Sequence, residues 1–199
     1  MKTILSLFFS LFVFAANAQF TAVTNTSGTV TYGSTAVTVT GSGTASSYTV
    51  WCGAGPYWIG AGAGSTPSPG SYTYRFSPAI TAFRVEVTAA NVGESIAISV
   101  NGSHYSLTAA DIFAYAGTCG SGTMGLSGDT VLCTSAGGSG ANVGINVYVC
   151  GGINSCTVET DGLLNGSVYS FFISDTAICS ATNNGPLCLG DTLKLSVPG

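Results

Sequence analysis

The sequence predicts an all-β chain, an antiparallel β-sandwich stapled by disulfides. Three observations predict it. Residues Thr81 to Thr108, TAFRVEVTAANVGESIAISVNGSHYSLT, alternate apolar and polar side chains with the period of two that marks half-buried strands. Thr, Val, Tyr and Gly abound while Leu, Glu, Lys and Gln are scarce, and no apolar 3.6-residue period extends beyond the N-terminal segment. Seven cysteines sit in a chain that begins like an exported protein, where thiols oxidise.

The Thr81–Thr108 stretch reads as a three-strand antiparallel meander, one wall of a sandwich or barrel. Phe83, Val85 and Val87 point one way and Arg84 and Glu86 the other. Ser95 to Val100 follows, with Ile96, Ile98 and Val100 on one face. Asn101-Gly102 is a type I′ hairpin signal, because that turn needs positive φ at both central residues. It sets Val100 opposite Ser103, Ile98 opposite Tyr105 and Ile96 opposite Leu107, which places His104 and Ser106 on the polar face.

At the N-terminus, residues 1–18 read as a signal peptide. Lys2 supplies the basic start, Ile4 to Ala16 is an apolar run too short to span a bilayer, and Ala16-Asn17-Ala18 is a small-x-small cleavage pattern. An N-terminal membrane anchor is the alternative. No later stretch has the apolar length of a spanning helix, so the mature chain is expected to be secreted or held at the cell surface, without a transmembrane segment. Cleavage removes Lys2, so Arg75, Arg84 and Lys194 face eight acids and the net charge moves from −4 to −5. A chain with so few cations has no basic stripe for nucleic acid or anionic membrane.

Residues 19–180 form the predicted β module. GTVTYGS and TAVTVTG read as short strands joined by a Gly-Ser turn, with a disordered linker as the alternative. Tyr48 to Cys52 reads as a strand feeding the first cysteine. Gly53 to Gly70 is a Gly-rich loop without the lysine of a phosphate loop and with no helix after it, which excludes nucleotide binding there. Trp51, Tyr57 and Trp58 are the candidate glycan contacts, since aromatic faces stack on sugar rings; the alternative is that they plug the end of the sandwich. SYTYRF is a strand that Ser77-Pro78-Ala79 turns into the meander. Thr108 to Asp111 reads as one helical turn, and Thr118 to Gly144 as loop. INVYVC is a strand, Cys150 and Cys156 bracket a hairpin end, Thr157 to Thr160 returns, and VYSFFI closes the module.

Six cysteines suggest three bridges among 15 possible connectivities: Cys52–Cys179, Cys119–Cys133 and Cys150–Cys156. No C-x-x-C occurs and His104 is the sole histidine, so no zinc site and no other metal or cofactor is expected. Glu159, Asp161 and Asn165 offer hard oxygens in one turn but do not match an EF-hand; a solvated turn is the competing reading. Enzymatic activity is not expected. His104 has no G-x-S-x-G elbow to serve, and Glu86 with Glu94 is the nearest approach to a glycosidase pair.

Residues 181–199 change character. ATNNGP is linker-like, and G-P-L-C-L-G-D-T-L-K-L around Cys188 resembles the opening of the immunoglobulin-like or PKD-like repeats of bacterial surface proteins. The series GPYWIG, SYTYRF, FRVEVTAANVGESIAISVNGSHYSLT and VYSFFI resembles a module of exported adhesin-like proteins of gliding, Bacteroidetes-type bacteria. The resemblance implies a cell-surface or secreted β module, often in tandem with Ig-like repeats. The expected module is a jelly-roll-like or Ig-like sandwich with a structural or adhesive role toward surface proteins or extracellular glycans. An exported hydrolase is the remaining alternative. The likeness to Ig-like or PKD-like repeats also implies a cysteine partner for Cys188 late in a repeat that this chain only begins.

Overall fold

The computed structural model describes residues 19–60, 68–118, 120–135, 140–162, 166–174, 182–183 and 195–196. These residues are all β, with no helix among them, and none therefore long and apolar enough to cross a membrane. The expected signal peptide, Cys119, Cys179, Cys188 and Asn165 lie outside the described residues. Of the expected repeat start, only β14 (Thr182–Asn183) paired to β15 (Leu195–Ser196) is described.

Two long strands organise the sheet: β6 (Gly70–Ala90) and β12 (Ala141–Thr160) run antiparallel, with Ala141 opposite Ala90 and Thr160 opposite Gly70. On its free edge the second half of β12 pairs β7 (Ser95–Val100), Cys156 opposite Val100 and Thr160 opposite Ile96. The first half pairs β10 (Gly122–Ser127) in parallel. β10 turns into β11 (Thr130–Ser135), and β11 pairs β7 through Val131 and Ile96. The circuit β6, first half of β12, β10, β11, β7, second half of β12 thus closes as a six-strand barrel with further strands outside it. The sequence predicts two facing sheets; the ladder instead forms one sheet that closes on itself, because β6 and β12 are long enough to serve both sides.

The bend that permits closure is legible in the register. Val149–Gly152 bulge from β12 opposite Thr81, and Phe76–Ala79 bulge from β6 opposite Asn154. Extra residues on alternate strands curl the ladder. Pro78 sits in that exposed stretch, where its missing N–H costs no ladder bond. The predicted turn at Ser77-Pro78-Ala79 is therefore a corner within one strand. The predicted hairpin between Cys150 and Cys156 is likewise a corner: the chain runs on into Thr157–Thr160 rather than returning.

Outside the barrel, β13 (Ser167–Ser174) pairs the C-terminal half of β6, then β5 (Tyr57–Ile59), which pairs β4 (Ala45–Ser47). β1 (Thr21–Val23) also lies on β13. Hairpin β2 (Gly28–Tyr32)–β3 (Thr35–Gly43) joins the N-terminal half of β6 through β3, as the Val/Thr alternation predicts. One continuous core fills the interior. Its aromatic centre is Tyr74 stacked on Phe171 at 3.8 Å and Tyr57 stacked on Tyr169 at 5.1 Å, with the Tyr74 and Tyr169 hydroxyls hydrogen-bonded at 2.9 Å. Burial drives both of those phenols far above their ordinary range.

The Asn101-Gly102 hairpin forms with the predicted register: φ is +51° and +81°, Val100 faces Ser103 and Ser99 faces His104 in β8 (Ser103–His104). The meander around it does not form. β12 lies between β6 and β7, so the first two predicted strands never pair. β8 is short because Leu107 donates its N–H to Asp129 O at 3.2 Å, drawing the chain away from Ile96. Thr108–Asp111 is a turn rather than helix, closed by the Asp111 carboxylate, which accepts the Thr108 N–H at 2.7 Å and hydroxyl at 2.8 Å. The expected loop at 118–144 contains the β10–β11 hairpin.

The predicted bridges Cys119–Cys133 and Cys150–Cys156 do not form. Cys133 and Cys156 are free thiols, each 1% exposed. Cys133 points inward with its Sγ 3.5 Å from Ala90 O. Cys156 faces the core because β12 turns a corner at the expected hairpin and runs on rather than folding back. Cys52 is disulfide-bonded, to a cysteine whose side chain is outside the described residues.

Candidate binding surface

Residues 48–56 make a small raised hairpin between β4 and β5. Trp51 and Ala54 exchange backbone hydrogen bonds of 2.8 and 3.0 Å across Cys52-Gly53, whose φ angles of +55° and +91° suit a type I′ turn. Tyr48 N–H donates to Pro56 O at 2.7 Å. The underside is tied to the sheet. Gly55 N–H donates to Ser170 Oγ at 3.2 Å, and Ser170 donates back to Gly55 O at 3.0 Å. Tyr115 donates its hydroxyl to Gly53 O at 3.0 Å, and Thr118 N–H reaches Cys52 O at 2.8 Å.

With its polar groups turned downward, the hairpin presents an apolar ridge. Tyr48, Val50 and Trp51 are 41%, 73% and 48% exposed. The half-buried Trp58 ring supports Tyr48 at 4.8 Å and donates its indole N–H to Gly60 O at 2.8 Å. Of the three aromatics singled out in the sequence, Trp51 alone stands open. Tyr57 is a correction: it is fully buried and its hydroxyl lies 3.0 Å from Val23 O, so it has no face for a ligand. The alternation in Tyr57-Trp58-Ile59, buried, half-buried, buried, is that of a covered strand. Tyr48 and Val50 were missed because YTVWC reads as a strand, whose apolar residues would face inward.

A polar pair lies on the same outer face of β6. Arg84 is clasped between the rings of Phe20 and Phe113, 4.5 and 4.9 Å from its guanidinium carbon. Its Nε donates to Asn146 Oδ1 at 2.9 Å, and Nη1 lies 3.7 Å from Glu86. Phe113, in β9 (Ile112–Phe113), fits because Gly144 beneath it has no side chain. Partial burial raises the Glu86 carboxyl above its ordinary value, against the opposing pull of Arg84. Burial, and then the Glu86 charge, raise the Tyr115 phenol. Tyr115 also lines a cleft of about 280 Å³ with Phe113, Met124 and Asn142.

The other candidates are placed differently. Glu94 has no exposed surface, and its carboxylate accepts the N–H groups of Asn91 at 2.7 Å and Gly166 at 2.6 Å. It is a structural clamp with no exposed surface, which takes Glu94 out of a hydrolytic pair with Glu86. His104 Nε2 lies 2.8 Å from Asp129 Oδ2 with both side chains exposed, a link between two hairpin ends. Asp161 is engaged by the Ser95 hydroxyl at 2.9 Å. Among the described residues no group of three His, Cys, Asp or Glu side chains is placed to hold a metal. No family model, curated protein or solved structure matches the chain.

Proposed function

We propose that this chain is a non-catalytic, exported surface module that adheres through the Tyr48–Val50–Trp51 ridge. The observation that carries the reading is Trp51: a large side chain, 48% exposed, on a turn whose backbone is already fixed by hydrogen bonds and a disulfide at Cys52. A ligand meeting a fixed ridge loses little additional conformational freedom from the protein side. Charge supports the same reading. With 6% charged residues, the chain favours contact through apolar and aromatic faces over ionic pairing.

Extracellular glycans are the favoured ligand class. The open indole of Trp51 offers a stacking face, and Tyr115 connects the ridge loop to the neighbouring cleft. Export and kinship with adhesin-like surface modules belong to the same proposal. A glycan array and a cell-adhesion assay test it. Wild type is expected to bind, and Trp51→Ala and Val50→Asp are expected to lose at least tenfold in affinity with unchanged far-ultraviolet dichroism. Binding that survives both substitutions removes the ridge as the contact, and glycan-independent adhesion lost with Trp51→Ala identifies a protein ligand.

A further inference from the structure

We propose that β2 is an assembly edge, on which β2 of a second copy of this chain adds antiparallel about a two-fold axis at Val30. β2 pairs β3 and no other described strand. Gly28, Thr29, Val30 and Thr31 are all exposed, Val30 at 42%, so both faces of the strand and its outer edge are open.

The backbone of that edge is set by its hairpin. Tyr32 and Thr35 flank the two-residue loop Gly33-Ser34, which makes them a hydrogen-bonded pair. Alternation then turns the N–H and C=O of Val30 toward β3 and those of Thr29 and Thr31 outward. The 2.7 Å contact between the Thr29 and Thr38 hydroxyls agrees, since side chains approach closely in the non-hydrogen-bonded pairs. Among the described residues nothing pairs with the outward groups of Thr29 and Thr31.

Sheet edges are ordinarily guarded by lysine, proline or bulges. Here no charged residue and no proline occurs from Gln19 to Gly55. The occupant follows from the sequence of the edge itself. Thr29-Val30-Thr31 is palindromic, so an antiparallel copy places Thr29 against Thr31 of its mate twice, closing four backbone hydrogen bonds, with Val30 against Val30 on the axis. An uncharged edge carries no repulsion between identical copies. The contact is isologous and closes as a dimer.

Sedimentation velocity of the mature chain over micromolar to millimolar concentration tests this. A concentration-dependent dimer is expected. Thr31→Pro deletes an outward N–H that β3 does not use, and Thr29→Lys places a charge on the edge; each is expected to weaken dimerisation at least tenfold. Val30→Cys is expected to give a peptide oxidatively cross-linked to itself at position 30, while Trp51→Ala leaves self-association unchanged. Should Thr31→Pro perturb folding, Thr29→Lys decides alone. A monomer at every concentration overturns the proposal, even if an added Val/Thr-rich peptide binds the edge. So does a dimer that tolerates Thr29→Lys.

Discussion

Glu94 is a carboxylate with none of its surface in water, held by two backbone amides and lying 3.5 Å from the Ser167 hydroxyl. It ties the start of β7 to the start of β13, segments far apart in sequence. Deleting it strands the buried N–H of Gly166 and the half-buried N–H of Asn91, and a buried N–H left without an acceptor costs roughly 1–3 kcal/mol. Glu94→Ala is therefore expected to lose about 2–5 kcal/mol, and Glu94→Gln, which keeps one acceptor oxygen, a smaller part of that. Urea unfolding with an unchanged m-value checks it; a loss below about 0.5 kcal/mol for the alanine variant would mean that water replaces the carboxylate. At Glu86, partial burial holds the carboxyl above its ordinary value, so the folded state holds this proton more tightly than the unfolded chain. The associated stability is complete below the unfolded value and is lost as pH rises through the raised folded value. Glu86→Gln is expected to match wild type near pH 4 and exceed it at pH 7 in thermal melts. A gap that opens toward acid instead contradicts the assignment.

Among elements, what the sequence reveals and what it conceals divide by range. The Asn101-Gly102 hairpin is legible because its chemistry is local, and φ and register follow from two residues. The partner of β7 is hidden because the strand that separates it from β6 arrives some fifty residues later, and nothing in either strand names β12. The β10–β11 hairpin carries a local signal too, against the expectation of loop at 118–144: Ser127 faces Thr130 across Gly128-Asp129, a two-residue loop of recognised type, between Met124 and Leu126 on one side and Val131 and Cys133 on the other. The ridge was half legible. Trp51 stands out as a loop aromatic, but whether Tyr57 points in or out depends on β13, which covers it. Asn101 carries a second role absent from the hairpin signal. Its Oδ1 accepts the N–H groups of Asn154 at 2.8 Å and Ser155 at 3.2 Å, and its Nδ2 donates to Gly152 O at 3.0 Å, pinning the corner of β12. Asn101→Gly preserves the turn and removes the pin. A loss of about 1–3 kcal/mol is expected, with hydrogen exchange accelerated at Gly152–Ser155; equal stability would show that the corner holds itself.

At the scale of the whole molecule, one core runs through barrel and outer strands, so nothing inside should open without the rest. Cys133 and Cys156 report on this directly. Each is 1% exposed, and burial raises both thiols, Cys156 most, so neither forms the reactive thiolate in the folded state. Cys133 lies against the β6 backbone in the barrel, while Cys156 faces the tyrosine cluster shared with β13 and β5. If barrel and outer strands unfold together, alkylation of the two thiols, resolved by peptide mass spectrometry, follows one urea midpoint, and that midpoint coincides with loss of far-ultraviolet dichroism. If the outer strands peel away first, Cys156 is labelled at lower urea than Cys133. The first outcome is expected, because β6 and β12 belong to both regions. Peeling β13 from β6 would expose Phe83, Val85 and Val87, which are fully buried and are set opposite Val147, Ile145 and Val143 of the barrel in the same ladder.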